Sequence, residues 1–172
     1  MADTGTEDEY KQFRSGVVEL LPRLRRFCRA IAGDGSGEDL LQATVERALA
    51  RQQQWQPGTR LDSWMFRIAQ NLRIDLARQS RGRGTEVDID AVLELPGQDG
   101  RAIVEARSDL SRAERAMAAL PEDQRVVLAL VVIDGRSYRE TADILDIPIG
   151  TVMSRLARAR HAIDVAVHGA KT

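Results

Sequence analysis

Two helix patterns separated by a tight turn occupy residues 137–163, and they restrict the fold more than any other feature of the chain. The first pattern opens with Ser137 and Glu140, which can form a capping box because each side chain can reach the main-chain amide of the other residue. The second begins near Pro148, which a first helical turn tolerates because its missing N–H would have no partner there. The segment predicts either a helix-turn-helix or an ordinary αα-hairpin, and patterning alone leaves both open.

The second of these helices has an apolar face and a face of small, polar and basic side chains. At about 100° per residue, the apolar stripe consists of Val152, Leu156, Ala159 and Ile163. The opposite face carries Ser154, Ala157, Arg158 and His161, with Met153, Arg155 and Arg160 on its flanks. Short side chains near the helix start would let it enter a major groove, where the longer ones could reach base edges or phosphates.

The chain divides into segments of different charge. Residues 14–83 hold 13 arginines and 7 acidic residues, whereas residues 84–110 hold 2 arginines and 7 acidic residues, with Gly82, Gly84 and Pro96 interrupting the helical pattern. A short helix over residues 101–108 is compatible with this acidic stretch. We therefore predict an all-α protein of two small helical domains joined by a flexible acidic linker. The expected segments are an acidic tail (1–13), a first helical domain (14–81), the linker (82–110) and a second helical domain (111–168).

Three helix patterns occupy the first domain. Residues 20–31 predict a helix with Pro22 in its first turn. Residues 38–50 predict a second helix, whose polar edge is either a solvated surface or a binding surface. Its apolar side consists of Leu41, Val45, Ala48 and Leu49, and its polar edge of Asp39, Gln42 and Glu46 beside Ala43.

The third pattern predicts a helix that Asp62 or Ser63 can cap. Its expected buried stripe is Met65, Ile68, Ala69, Leu72 and Leu76. Its expected exposed face carries Phe66, Arg67, Gln70, Asn71, Arg73, Ile74 and Arg78. Such a mixture suits unpaired bases, because rings stack on them, amides read their edges and guanidinium groups hold phosphates. A solvated charged face is the alternative interpretation.

Composition excludes several classes of function. No stretch approaches 18 apolar residues, and the acidic N-terminus lacks the apolar core of a secretory signal, so we expect a cytoplasmic protein without membrane insertion. Cys28 is the single cysteine, which excludes an internal disulfide, and we expect it to be inert and partly buried. His161 and His168 lack a metal-ligand spacing and are expected to be solvated. Without a phosphate loop or a nucleophile–base pair, we expect no enzymatic activity, cofactor or metal.

The residues of the C-terminal domain match the pattern of a known family. Residues 120–128 (LPEDQRVVL), 134–142 (DGRSYRETA) and 147–160 (IPIGTVMSRLARAR) resemble sigma region 4 of the extracytoplasmic-function (ECF) family of bacterial RNA polymerase sigma factors. In that family the last helix reads the −35 promoter element. The resemblance implies −35 contacts from Thr151, Met153, Ser154, Arg155, Ala157, Arg158 and His161. Met153 departs from the family pattern, in which many members carry Lys or Arg.

The first domain resembles sigma region 2 of the same family. Residues 55–71, with WMFRIAQN at 64–71, are similar to the part that melts and captures the −10 element, and residues 39–42 (DLLQ) to the helix that binds the β′ clamp. The resemblance implies −10 contacts from Trp55, Arg60, Phe66, Arg67, Gln70, Asn71 and Arg73. It implies core polymerase contacts from Asp39, Gln42, Ala43 and Glu46.

The sequence WQPGTRLDSWMF at residues 55–66 further resembles the sequences of the general-stress-response branch of this family. There a small anti-sigma factor holds the sigma factor, and a sigma-mimicking response regulator releases it. The resemblance implies a non-catalytic subunit, monomeric when free, that binds core RNA polymerase through the β′ clamp and β flap and directs it to promoter DNA of a stress regulon. Two other classes are a stand-alone helix-turn-helix regulator and a sigma mimic that binds only an anti-sigma factor, although the chain has no room for the receiver domain of such mimics.

Overall fold

The computed structural model describes residues 4–33, 35–82 and 111–169, and within them it contains helices and no strands. The predicted all-α fold is confirmed. Residues 83–110, which include most of the predicted linker and the short helix considered there, lie outside the described residues. The helices are α1 (Thr4–Ala32), α2 (Gly37–Ala50), α3 (Leu61–Gly82), α4 (described over residues 111–119), α5 (Glu122–Leu128), α6 (Tyr138–Leu145) and α7 (Ile149–His168). A 3-10 turn (Gln52–Gln54) follows α2, and α5 runs on into a π-helical turn (Ala129–Ile133).

Helices α1, α2 and α3 pack on one another as the N-terminal module. Its interior is mostly aliphatic, and two aromatic rings meet within it: Phe27 and Phe66 are edge to face with 4.8 Å between ring centroids. Phe13 is buried and lies 5.5 Å from the ring of Trp55. The predicted acidic tail over residues 1–13 is therefore wrong in two respects, since the chain is helical from Thr4 onward and Phe13 belongs to the core. Pro22 accordingly lies inside α1 and not in its first turn.

Helices α5, α6 and α7 form the C-terminal module, and its turn is built as the sequence predicts. Ser137 Oγ accepts from the Glu140 amide at 3.2 Å, and Glu140 Oε2 accepts from the Ser137 amide at 2.8 Å, which confirms the capping box. Asp146 ends α6 in the left-handed region at φ 53°, and α7 begins directly after Pro148. Three residues, 146–148, thus join α6 to α7, which is the length of a helix-turn-helix connection.

The two modules share one buried core. Val126, Ala129, Leu130 and Ile144 of the C-terminal module belong to the same apolar cluster as the interior of α1, α2 and α3. The loop after α1 comes so close that a Cβ on Gly33, whose φ is +71°, would lie 1.7 Å from Arg125 Nη1. The positive φ favours glycine at this position, and the absence of a side chain leaves room for the Arg125 guanidinium. The two predicted helical domains are confirmed, and in this arrangement of the chain they also pack against each other, which the sequence left unspecified.

Two residues predicted to be buried are exposed, and two residues outside the predicted stripes are buried. On α3 the buried stripe ends at Leu72, and Leu76 is 43% exposed because the described core does not extend that far along the helix. On α2 Leu49 is exposed, whereas Leu40 and Thr44 are buried. Thr44 fits there because its hydroxyl donates to the Leu40 carbonyl at 2.6 Å, which satisfies the polar group inside the core.

Candidate DNA and polymerase interfaces

Helix α7 presents the face that the sequence predicts. Its apolar stripe is buried at Val152, Leu156 and Ala159. The side chains assigned to −35 contact are exposed except for the partly buried Thr151 and Arg155; the exposed ones are Met153, Ser154, Ala157, Arg158 and His161. The helix can therefore lay its outer face against another surface without any change in its packing.

Arg155 differs from the other predicted contacts of α7 because it is already bound within the module. Its Nε lies 3.0 Å from Asp123 Oδ2 of α5, and its side chain is only 28% exposed. Arg158, one turn away on the exposed face, has no such carboxylate partner among the described residues. Arg158 is consequently the more available cation of the two.

The predicted polymerase-binding edge of α2 is a polar surface. Asp39, Gln42 and Glu46 are exposed, and Ala43 is partly buried between them. Gln42 Nε2 donates to Glu46 Oε1 at 2.9 Å, which holds these two side chains together along the helix. The edge therefore offers carboxylate and amide groups to a partner.

Phe66 does not lie on the exposed face of α3 as predicted. It is 1% exposed, because its ring packs against Phe27 on one side while two guanidinium groups lie over it. Arg136 Cζ lies 5.2 Å and Arg23 Cζ 6.0 Å from the ring centroid, in the range of cation–π contacts. The expectation that Phe66 is free to stack on a base is therefore wrong for this arrangement of the chain.

The other predicted −10 residues are divided between solvent and contacts within the protein. Arg67 Nε donates to the Ile144 carbonyl oxygen at 3.1 Å, and its Nη2 donates to the Asp143 carbonyl, so this side chain links α3 to α6. Arg73 Nε donates to the Ile31 carbonyl at 3.4 Å. Of the remaining members Arg60 and Asn71 are exposed, whereas Trp55 and Gln70 are partly buried.

A cleft runs between α3 and the C-terminal module beside Arg67. Gln70 and Asn71 line it from α3, and Glu122 and Arg155 line it from the other module. Gln70 Oε1 and Glu122 Oε1 are buried there, and neither has a hydrogen-bond partner among the described residues. Part of the predicted −10 surface thus faces the helix-turn-helix module across this cleft.

A cluster of charges that sequence reasoning missed joins the modules next to Phe66. Arg136, with a side chain 3% exposed, lies 2.7 Å from Asp134 and 2.5 Å from Asp62 of α3. Arg23 of α1 donates to both carboxylate oxygens of Asp134, at 3.0 and 2.9 Å. Arg60 of the first module pairs with Glu140, whose side chain completes the capping box of α6. We call Arg23, Arg60, Asp62, Asp134, Arg136 and Glu140 the seam cluster.

The contacts of the seam cluster change the pKa of three of its members. Burial raises the pKa of Asp62, but the hydrogen bond and charge of Arg136, with help from Arg60 and the Ser63 amide, lower it further, to about 2. The Ser137 amide and hydroxyl and then Arg60 lower the pKa of Glu140 to about 2. The hydrogen bond to Asp134 raises the pKa of Arg23. Because α3 begins at Leu61, Asp62 and Ser63 both lie inside its first turn, and neither is the predicted cap of that helix.

Two family patterns match the chain in the order expected. The family described as "Sigma-70, region 4" matches residues 110–163, and "Sigma2 domain of PhyR" matches residues 17–70. The ECF RNA polymerase sigma factor EcfG of Rhodopseudomonas palustris is 33% identical over 156 residues, which cover 90% of this chain and 84% of that protein. The chain belongs to the ECF family of RNA polymerase sigma factors. The ECF sigma-E factor of Escherichia coli K12 is 30% identical over 165 residues, covering 91% and 86% of the two chains.

Solved structures place this sigma factor in the same fold. The sigma factor RpoE of Bartonella quintana, crystallised with the anti-sigma factor NepR, is 30% identical with a TM-score of 0.76, covering 94% of this chain and 99% of that one. CnrH in complex with the cytosolic domain of CnrY shares the fold, with a TM-score of 0.66 at 23% identity, covering 94% and 91%. In the described part of the chain, no helix has both the length and the apolar character needed to cross a membrane.

Proposed function

We propose that this sigma factor divides promoter recognition among three helices. Helix α7 reads the −35 duplex, α3 with the preceding loop captures the −10 strand, and the polar edge of α2 binds core polymerase. The observation that carries the proposal is the outer face of α7, which combines short side chains at Ser154 and Ala157 with an available Arg158. In the major groove, small residues permit close approach and arginine can bind a guanine edge with two hydrogen bonds.

The −10 surface can act only after the two modules separate. Arg67 already donates to two carbonyl groups of α6, and Phe66 lies beneath Arg136, so neither side chain is free for an unpaired base. The described arrangement is therefore the form that does not bind DNA through α3. We infer that binding to core polymerase draws the modules apart and releases this surface.

Control by an anti-sigma factor is the regulation we propose. The relative from Bartonella quintana was solved as a complex with the anti-sigma factor NepR, and the fold covers nearly the whole of both chains. A partner that holds the two modules together would keep Arg67 engaged with α6 and so withhold the −10 surface. We further propose that the protein acts in the cytoplasm as a non-catalytic subunit, with the polymerase supplying all chemistry.

Run-off transcription with core polymerase on a promoter library tests these assignments. Arg158→Ala should weaken −35-dependent initiation by about 1–3 kcal/mol if its guanidinium binds a base edge. Arg115→Ala, which removes an exposed arginine of α4, is the matched control and should transcribe normally. Normal −35-dependent transcription by the Arg158 variant would remove that residue from the site.

Binding to core polymerase tests the edge of α2 separately. Asp39→Ala and Gln42→Ala should lower the affinity for core polymerase, because they remove exposed polar groups from the proposed contact. Glu9→Ala, which changes an exposed acidic residue of α1, provides the control. Unchanged binding of both α2 variants would refute the assignment of this edge.

A further inference from the structure

Helix α7 exposes two large apolar side chains at its N-terminal end. Ile149 is 48% and Met153 is 53% exposed, and they lie four residues apart, so they are neighbours on one flank of the helix. Neither residue belongs to the buried clusters of the described chain or packs against them. Their exposure therefore has no explanation in the packing of the module.

The surroundings of this flank permit close approach to another surface. Gly150, Ser154 and Ala157 form the adjacent exposed line of the helix, and none of them extends beyond a hydroxyl group. Arg155 is on the other flank and is held by Asp123. A partner that meets the first two turns of α7 would therefore contact Met153 and Ile149 before it met any unpaired cation of these turns.

The major groove offers one apolar group to such a flank, which is the C5-methyl group of thymine. We propose that Met153, supported by Ile149, packs on a thymine methyl in the −35 duplex and so makes an A·T pair a determinant of promoter choice. This inference rests on the proposed role of α7 in reading the −35 element. An unbranched thioether side chain suits the contact because it adapts its shape to the group it covers.

The test uses holoenzyme assembled from core polymerase and the full chain. A −35 element is first selected from a randomised duplex placed upstream of a fixed −10 element. Each thymine of the selected element is then replaced in turn by deoxyuridine, which removes only the methyl group. Competition binding measures the affinity of each template for holoenzymes carrying the wild type, Met153→Ala, Met153→Leu or Val165→Ala.

We expect one deoxyuridine substitution to weaken binding of the wild type about fourfold, the factor that corresponds to about 0.8 kcal/mol for one buried methyl group. Met153→Ala should bind both templates alike, whereas Met153→Leu should keep the discrimination. Val165→Ala changes another exposed apolar residue of α7, far from its N-terminal end, and should also keep it.

The inference is overturned if the selected element contains no thymine, if no deoxyuridine template binds more weakly, or if Met153→Ala discriminates as the wild type does. A wild-type holoenzyme that selects no −35 sequence at all would instead contradict the proposed role of α7. A clear −35 preference without any effect of the methyl group contradicts the thymine contact alone.

Discussion

Arg136 shows at the scale of a single residue how the modules are held together. Its guanidinium is almost fully buried, lies between the carboxylates of Asp134 and Asp62 and covers the ring of Phe66. A charge in such a place is stable only while its partners remain, because each ion has lost its hydration. Asp62 is 74 residues away in the sequence, so no local pattern could have predicted this contact.

Replacing Arg136, which lies in the loop before α6, should therefore cost far more than replacing a nearby exposed arginine. Arg136→Gln removes the buried cation between Asp134 and Asp62, and although Arg23 still pairs with both carboxylates, we expect the free energy of unfolding to fall by about 3 kcal/mol. Urea denaturation followed by circular dichroism measures the change. Arg139→Gln, an exposed position on α6, should alter the midpoint little. Equal midpoints for both variants would show that the seam cluster does not stabilise the fold.

Cys28 is a residue whose predicted inertness has a physical cause in the structure. Its side chain is fully buried, more than the partial burial expected, and desolvation raises the pKa of the thiol to about 12. The thiolate is the reactive form, so iodoacetamide at pH 8 should alkylate the native protein far more slowly than the urea-unfolded protein. Mass spectrometry counts the adduct, and rapid labelling of the native form would refute the burial.

At the scale of elements, the capping box determines where α6 begins. Ser137→Ala removes the acceptor for the Glu140 amide, and we expect a loss of about 1 kcal/mol in unfolding free energy. Ser154→Ala also removes a serine hydroxyl, but that hydroxyl is exposed and donates only to the Thr151 carbonyl within α7, so it serves as the control. A Ser137 variant as stable as the control variant would contradict a stabilising role of the cap.

Helix α7 and the capping box could be predicted because both depend on neighbours within one or two turns. The spacing of Val152, Leu156 and Ala159 alone determines which side of α7 is buried. On α3 and α2 the same reasoning failed for Phe66, Leu76 and Leu49, because their exposure depends on which other helix covers them and how far. The helical pattern therefore located these helices correctly but not the burial of these three side chains.

At the scale of the whole molecule, the order of the two domains could be read from sequence, but their shared core could not. Apolar residues spaced three or four apart show which face of a helix is buried, but they do not show which other element covers it. Ile144 is an example: it is 2% exposed and belongs to the core of the N-terminal module, although it lies on the first helix of the helix-turn-helix. The seam cluster was missed for the same reason.

The seam cluster should make the stability of the protein depend on pH under acid conditions. The pKa of Asp62 in the folded protein is about 2, below its ordinary value of 3.8, so its contribution to stability is complete above pH 3.8 and is lost as the pH falls toward 2. In urea denaturation measured from pH 6 to pH 2, the midpoint concentration of urea should decrease as the pH drops below 3.8. The lowered pKa of Glu140 should add to this decrease. Asp62→Asn should start less stable and fall less steeply. Parallel profiles for the two proteins would contradict the assignment.

The contact of Arg67 with α6 has a consequence for how sequences of this kind can diverge. Its acceptors are the main-chain carbonyl groups of residues 143 and 144, which every amino acid supplies. Mutational drift of the side chains at these two positions therefore leaves the acceptors in place. Through this contact, the balance between the described arrangement and the proposed open form can therefore change only at residue 67 itself, where any substitution would also alter the proposed −10 surface.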